Sequence, residues 1–431
     1  MSSPYRTFSF YTLGCKLNFS ESSFLTNQLI ANGYSEVKSD ELADIYIINT
    51  CSVTENADKK ANKFIKKLND RSPDSFIIVI GCYAQLKPEE IKKIKGVSLV
   101  LGTEDKFDLL NYIEKDNLDN NDVSNKNIND AHVFNIAYSS QSRTRSYLKI
   151  QDGCDYLCSY CTIPMARGKS RSGDIADIIN ATHEINKLNI KEIVLTGVNI
   201  GDYSGNNGES FFDLIQTIDS LPITPRFRIS SIEPNLLSEE MIDFILKSNK
   251  FTPHFHIPMQ SGSDKVLKDM KRRYNLELYK DRVDYIRRHS NQACIGADVI
   301  VGFPTENNSD FIDTTNFINN LDINYLHVFP YSDRTNTISK SINEKVCSSK
   351  IKNRSKILRE ISNAKKKVFI NRNINKKREI LLETFDDGYL SGLTENYIKV
   401  NIKGSNKLVN SLQPIKISSI IDDEVYGDIL A

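Results

Sequence analysis

The chain has no run approaching about twenty consecutive apolar residues, so no helix spanning a membrane is expected. Its start, MSSPYRTFSF, lacks the basic opening and long apolar stretch of a secretory leader, and a cytoplasmic location is expected. Charge of one sign is also missing. The 56 Lys and Arg almost cancel the 55 Asp and Glu, and a net charge of +1 names no partner. What remains is an ordinary globular composition, 39% hydrophobic and 26% charged, over 431 residues, enough for two or three domains. Eight cysteines without a secretion signal suit a reducing compartment, where thiolates serve metals rather than disulfides.

Three of these cysteines are packed into GCDYLCSYC (153–161), as Cys154, Cys158 and Cys161 in a C-x3-C-x2-C array. Three thiolates in so short a loop can hold three irons of a 4Fe–4S cluster and leave the fourth open to a small molecule. A structural zinc site is the competing reading. It needs a fourth ligand, usually from a second nearby pair, yet the next cysteine is Cys294 and the nearest downstream histidine His183. A disulfide leaves one cysteine over. The array resembles the radical S-adenosylmethionine (SAM) superfamily, in which an aromatic residue, here Tyr160, precedes the last cysteine. The resemblance implies that SAM binds the open iron and is split into methionine and a 5′-deoxyadenosyl radical.

Upstream, strand and helix patterns alternate. FSFYTLG (8–14), DIYIINT (44–50), FIIVIG (76–81) and 97–101 read as strands. Stretches from Ser20 (a candidate N-cap), Glu55, Pro88 and Glu104 read as helices. Such β-α units form a parallel sheet whose strand ends share one edge, where ligands bind. Cys15, Cys51 and Cys82 each follow a strand, so they are expected to converge there. Buried small residues are the bland reading of each alone, but not of all three at equivalent points. TLGCKLN (12–18), NTCSVTENADKK (49–60) and GCYAQLKPEE (81–90) resemble the N-terminal domain of the methylthiotransferases, a radical SAM branch. The resemblance implies an auxiliary 4Fe–4S cluster on Cys15, Cys51 and Cys82 that handles sulfur, with Asn18 also on a motif position.

The Asn/Asp-rich residues 116–130 read as a linker or surface excursion, and Arg143 and Arg145 as solvated or phosphate-facing, solvation being favoured. Six further strand patterns, at 146–151, 192–197, 226–231, 254–259, 295–302 and 325–332, suit a partial (βα)6 barrel with its site at the strand ends. The loops beyond them carry Thr196, Gly197 and Asn199, then Glu233, then Gln260 and Ser261. The resemblance implies that these, with Tyr160, contact SAM, and makes Tyr331 and Arg334 substrate contacts. His254 and His256 share one strand face, and a packed or hydrogen-bonded pair is favoured over metal ligation. GFPTEN (302–307) departs from the family's GFPGET at Thr305 and Asn307. Cys294 and Cys347 read as structural or incidental.

Residues 345–378 hold thirteen Lys or Arg against one acid, Glu360, which points to a nucleic-acid partner. Short strands follow, and LTENYIKV (393–400) with YGDI (426–429) resembles the TRAM domain, a small RNA-binding barrel. The expected organisation is an N-terminal open parallel β-α sheet (1–115), a linker (116–139), a radical SAM core with its basic helix (140–370) and a TRAM-like antiparallel barrel (371–431). KIQDGCDYLCSYCTIPMARG (149–168), TGVNIGDY (196–203) and TENYIKV (394–400) look most like the branch acting on threonylcarbamoyladenosine in tRNA. That branch moves a methylthio group to carbon 2 of the adenine beside the anticodon. One SAM methylates sulfur at the auxiliary cluster, and a second yields the radical that takes the carbon-2 hydrogen. Both clusters, SAM, tRNA and an electron donor are implied. Branches acting on isopentenyladenosine or on a ribosomal-protein aspartate stay open as alternatives. So do electron transfer by the auxiliary cluster and, in another class, an RNA-binding protein with structural zinc.

Overall fold

The computed structural model describes residues 6–114, 122–140 and 144–430. Strands β1 (Thr7–Thr12), β2 (Ser35–Glu36), β3 (Ile45–Thr50), β4 (Phe76–Gly81), β5 (Val97–Leu101) and β6 (Asp122–Ser124) form one parallel sheet in the order β2-β1-β3-β4-β5-β6. β3 and β4 are buried on both faces, as their near-continuous Ile/Val runs require of a sheet covered on both sides. The strand order reverses between β1 and β3, the position where open α/β sheets leave a crevice at their carboxyl ends.

Two expectations change here. The first helix spans Lys16–Ala31 with Cys15, not Ser20, at its N-cap. Ser20 lies inside the helix, where its hydroxyl donates to Leu17 O. The helix also buries Asn18, Ser20, Glu21 and Ser22, so its polar face mimics a capping region in sequence. Part of the stretch read as a linker is built into sheets. β6 pairs with β5, and β7 (Ala137–Tyr138) pairs with β8 (Arg145–Lys149).

The core holds the six expected strands, β8, β11 (Glu192–Thr196), β12 (Arg226–Ile229), β13 (His254–His256), β14 (Cys294–Val301) and β15 (Tyr325–Pro330). A short ribbon of β9 (Gln151–Asp152) and β10 (Arg171–Ser172) lies between the first two. The strands form two parallel arcs, β8-β11-β12 and β13-β14-β15, joined by the Phe227–Phe251 bridge. Alternation sorts the side chains. Leu148, Ile193, Leu195, Phe227, Phe255, Ile295, Ala297 and Val299 join one apolar core under the helices. Their neighbours Arg145, Lys149, Glu192, Arg228, His256 and Asp298 line the opposite, inner face.

The helix Ser348–Asn373 packs beside β15, and a closed barrel of β16 (Lys377–Asp386), β17 (Tyr389–Thr394), β18 (Lys399–Lys403), β19 (Ser411–Ile421) and β20 (Glu424–Ile429) ends the chain. This barrel is docked on the core. Arg226 donates to Leu393 O (2.9 Å), Arg228 to Thr394 O and Glu395 O (both 3.2 Å), and both pair with buried Glu192. Tyr397 stacks on His254 at 4.3 Å between ring centres. Arg145 is neither solvated nor a phosphate contact: its guanidinium forks onto Glu383 at 2.8 and 2.7 Å. Arg143 lies outside the described residues.

Candidate active site

Cys51 and Cys82 directly follow β3 and β4, and Cys15 lies just beyond β1, three neighbouring strands of one sheet edge. The approach is tight. A Cβ on Gly14 (φ +132°) would meet the Cys51 Cβ at 2.8 Å, and one on Gly81 (φ +96°) would meet Asn49 Oδ1 at 2.5 Å. Asn18 holds the edge together. Its amide donates to Leu13 O (3.0 Å) and Thr50 O (3.2 Å), and Cys15 Sγ donates to its Oδ1 at 3.6 Å. Burial, reinforced by Cys82, pushes the Cys51 thiol up to about 12, and burial raises Cys82 as well, against the pull of Arg167 and Lys106. Thiols placed so are poor thiolates until a metal takes the proton's place.

The second trio lies on the loop after β9. Gly153 (φ +68°) must be glycine, since a Cβ there would sit 1.9 Å from Lys169 O. Cys154 N donates to Gly168 O at 3.0 Å and Cys161 N to Cys158 O at 3.1 Å, which folds the loop back on itself. Backbone N–H groups of Tyr156 and Ile163 point at the sulfurs of Cys154 and Cys161, each at 3.4 Å. Arg272 donates to Cys158 Sγ at 3.0 Å and pairs through its other nitrogen with Glu233. Burial pushes Cys154 up to about 11 and Cys161 to about 12.

Among the described residues, the one group of three metal-capable donors within 4.8 Å of one another is His256, Asp298 and His327. Neither cysteine trio is drawn in so far. A single zinc ion with ~2.3 Å bonds gathers its sulfurs to about 3.8 Å, whereas a cluster seats each thiolate on a different iron and accepts wider spacing. The donor sets therefore fit clusters better than a single ion. His256 and His327 face Asp298 Oδ1 at 2.9 and 3.3 Å, and His254 and His256 both reach the Tyr325 hydroxyl, a hydrogen-bonded set. Burial would raise the Asp298 carboxyl, but its two histidine partners hold it below the usual carboxylate range.

A cavity of about 260 Å³ opens between the end of the Cys154–Cys161 loop and the segment that follows Cys51. Tyr160, Cys161 and Gln260 line it from the core, and Val53 and Thr54, just beyond Cys51, from the sheet edge. Gln260 is held at φ +62°, an uncommon conformation for a non-glycine residue. Tyr331 lines the same cavity, with its hydroxyl bound to Asp333 and Ser339. Thr196, Gly197 and Asn199 lie elsewhere on the mouth, where Gln151 Oε1 accepts from Val198 N (2.9 Å) and Asn199 N (2.8 Å). Both polar atoms of the Asn199 amide and the Ser230 hydroxyl are buried with no partner among the described residues, as donors and acceptors reserved for a small polar ligand would be. Ser261 is buried, its hydroxyl accepting Ser263 N at 3.2 Å. Arg334 is a strut rather than a substrate contact, buried against Ser52 (2.6 Å) and Asp58 (2.8 Å).

Several residues of the site carry no signal in the sequence. Arg272 sits in a KRR run that resembles any surface stretch. Glu21 is buried with Lys106 (2.7 Å), Lys149 (3.1 Å) and Arg167 (3.0 Å), which hold its carboxyl below the ordinary range despite burial. Removing one member of such a set costs about 3–5 kcal/mol. Lys16, next to Cys15, is half-buried, and its charged neighbours Arg228, Arg145, Glu192 and Asp298 belong to β12, β8, β11 and β14. Its amino group thus lies within electrostatic reach of those strands. Burial, with Arg228 and Arg145, lowers it to about 8. Cys294 is buried under the C-terminal barrel and Cys347 is exposed at a helix N-cap.

Comparison with known proteins accords with this architecture. Residues 7–102 match the model described as Uncharacterized protein family UPF0004, and residues 148–318 the Radical SAM superfamily. The chain is 36% identical to the threonylcarbamoyladenosine tRNA methylthiotransferase MtaB of Bacillus subtilis (strain 168), over 95% of this chain and 93% of that protein. It is 34% identical to the tRNA-2-methylthio-N(6)-dimethylallyladenosine synthase of Lawsonia intracellularis, over 79% of each. The solved radical SAM methyltransferase TsrM of Kitasatospora setae shares the fold, with a TM-score of 0.54 at 12% identity over 75% of this chain and 73% of that one. No helix among the described residues is long and apolar enough to cross a membrane.

Proposed function

The chain belongs to the radical SAM methylthiotransferases, and from that premise we propose that it places a methylthio group on carbon 2 of threonylcarbamoyladenosine beside the anticodon of tRNA. The observation that carries the reading is the cavity between the end of the Cys154–Cys161 loop and the segment that follows Cys51. A base seated there stands between the two places where the reaction's halves would be supplied. Cys154, Cys158 and Cys161 would hold the family's SAM-binding 4Fe–4S cluster, and Cys15, Cys51 and Cys82 a second one. When bound, these groups and SAM supply the radical and the methylthio sulfur, chemistry that an unactivated aromatic C–H requires and side chains alone do not offer.

The chain's own residues seat, orient and shield. Asn199 and Ser230 offer free donors and acceptors to SAM at the mouth. Arg272 bonds the Cys158 sulfur and is itself held by Glu233, which fixes that ligand's direction. Tyr160, Tyr331 and Phe329 supply apolar walls around Gln260, whose amide can address a base edge. Lys16 favours the threonylcarbamoyl substrate over a prenylated one, because it places a cation, with no ion pair among the described residues, beside Cys15. A threonyl carboxylate would pair with it, and an isopentenyl group would offer it no charge.

The RNA would be gripped elsewhere. Lys352, Lys356, Arg359 and Lys366 recur at helical spacing along the exposed side of Ser348–Asn373, while Arg354, Lys365 and Arg372 are used internally on Glu306, Leu321 O and Asp322. Such a stripe positions phosphates without reading sequence. On this reading residues 1–115 handle sulfur, 140–370 make the radical, and 371–431 with the stripe hold RNA, with 116–139 joining the first two. Mass spectrometry of tRNA nucleosides from a strain lacking the gene tests it. Loss of 2-methylthio-threonylcarbamoyladenosine, restored by the gene, is expected. Its persistence, with the isopentenyl counterpart lost instead, assigns the other substrate.

A further inference from the structure

Arg167 is 1% exposed and makes four bonds: to Asn18 Oδ1 (2.8 Å), Glu21 Oε1 (3.0 Å), Glu21 Oε2 (3.1 Å) and Asp152 Oδ1 (2.9 Å). Two of its three partners, Asn18 and Asp152, lead to a cysteine loop each. Asn18 is bonded to the carbonyls of Leu13 and Thr50, two residues before Cys15 and one before Cys51. Asp152 Oδ1 also accepts Gly153 N at 2.8 Å, immediately before Cys154. Three side chains, Asn18, Arg167 and Asp152, therefore connect the two sites without an intervening flexible segment.

The charges in this region are unbalanced. Glu21 and Asp152 face three buried cations, Arg167, Lys106 and Lys149, all essentially inaccessible. Arg171 and Glu104 at the rim pair with each other at 2.9 Å and leave the count unchanged. One buried positive charge is over, and such a charge calls for an anion nearby. The cysteines next to it are those of the sheet edge, since Asn18 Oδ1, which accepts Arg167 at 2.8 Å, also accepts Cys15 Sγ at 3.6 Å. Three thiolates on an oxidised 4Fe–4S core, which carries two positive charges, leave one negative charge in total. The surplus and the cluster match.

We propose that Asn18 and Arg167 form a bracket that neutralises the cluster of the sheet edge and holds the two cysteine loops in register. Both are positioning residues. Arg167 supplies the charge and the fork, and Asn18 transmits its position to the Cys15 and Cys51 turns. The inference rests on the two-cluster reading above.

The test uses the full chain, anaerobically reconstituted, with Arg167→Met, Arg167→Lys and Asn18→Ala. Two quantities are read: the midpoint potential of the edge cluster, by spectroscopy at poised potentials in a Cys158→Ala background that isolates it, and the methylthio product formed per SAM cleaved. Arg167→Met is expected to move the potential to more negative values, because a nearby positive charge favours the reduced cluster. Arg167→Lys keeps the charge and a potential near wild type, but loses the fork, and product per SAM falls about tenfold or more. Asn18→Ala does the same. If Arg167→Met does not fold, the lysine and Asn18 variants decide. A wild-type potential in Arg167→Met, or wild-type product per SAM in both other variants, overturns the bracket. A wild-type chain that holds only about four irons instead overturns the two-cluster reading beneath it.

Discussion

Cys154, Cys158 and Cys161 come from eight consecutive residues, whereas Cys15, Cys51 and Cys82 are spread over 68 and meet only because three strands of one sheet end together. The loop trio is held by its own backbone, through Cys154 N to Gly168 O and Cys161 N to Cys158 O. The edge trio is held by the sheet and by one asparagine across it. A site made locally is specified by spacing. A site made by topology is specified by whatever fixes strand order, so its integrity reports on the domain.

The largest effect that can break this comparison is chemical. Cys158→Ala is expected to abolish both SAM cleavage and methylthiolation, while Cys15→Ala spares cleavage and abolishes methylthiolation. Methylthio product from either variant would contradict the assigned roles. The next effect is structural. Gly153→Ala and Gly81→Ala each force a Cβ into occupied space, the first on Lys169 O, the second on Asn49 and Thr50 O. Each should lose one trio's metal and drop reconstituted iron from about eight to about four per chain. If Gly81→Ala unloads the Gly153 loop as well, the two sites are not built independently.

A smaller effect sharpens the edge site alone. Lys16→Met should leave iron loading intact and weaken RNA bearing the threonylcarbamoyl group by about 1.5–3 kcal/mol, a charge-assisted hydrogen bond, or roughly ten- to a hundredfold in KM. Unmodified RNA should be unaffected, and an equal loss for both would remove the carboxylate from the argument. The smallest concerns Thr305, at φ +83° with its hydroxyl 2.6 Å from Asp269 Oδ2. Thr305→Gly relieves about 1–2 kcal/mol of backbone strain. It gives up a hydrogen bond of about 1 kcal/mol and adds chain entropy of about 0.5–1. The terms nearly cancel, so urea unfolding should shift by less than about 1 kcal/mol.

Much of the architecture was readable because patterns and topology rules are strong. The Ile/Val runs at 45–50 and 76–81 are buried parallel strands, and the six core strands fall where their β-rich patterns lie. Convergence of Cys15, Cys51 and Cys82 followed from a rule about strand ends, with no local motif needed. The departures share one cause. Ser20 resembles a cap, Arg145 a solvated cation and Arg334 a substrate contact because polar residues are judged exposed by default. Here Arg145 is taken by Glu383 of the terminal barrel, Arg334 by Ser52 and Asp58 of the sheet domain, and Glu21 on the buried face of Lys16–Ala31 by Lys149 and Arg167 of the core. Such pairing depends on partners more than a hundred residues away, and no window of sequence contains both halves. Asn307 shows the opposite. It replaces a threonine of the resembling motif and caps Asn308–Asn320 by accepting Asp310 N at 2.9 Å, so the helix start is kept.

Arg226 and Arg228 each bond both Glu192 of the core and carbonyls of the C-terminal barrel, and Tyr397 is wedged against His254. A joint made this way has no hinge. A strand gripped by the outer barrel and the lysine stripe would stand at a set distance from the mouth, and the nucleotide presented there would be chosen by measurement along the backbone. The molecule would then act as a ruler, its selectivity residing in the stiffness of a domain contact as much as in the pocket.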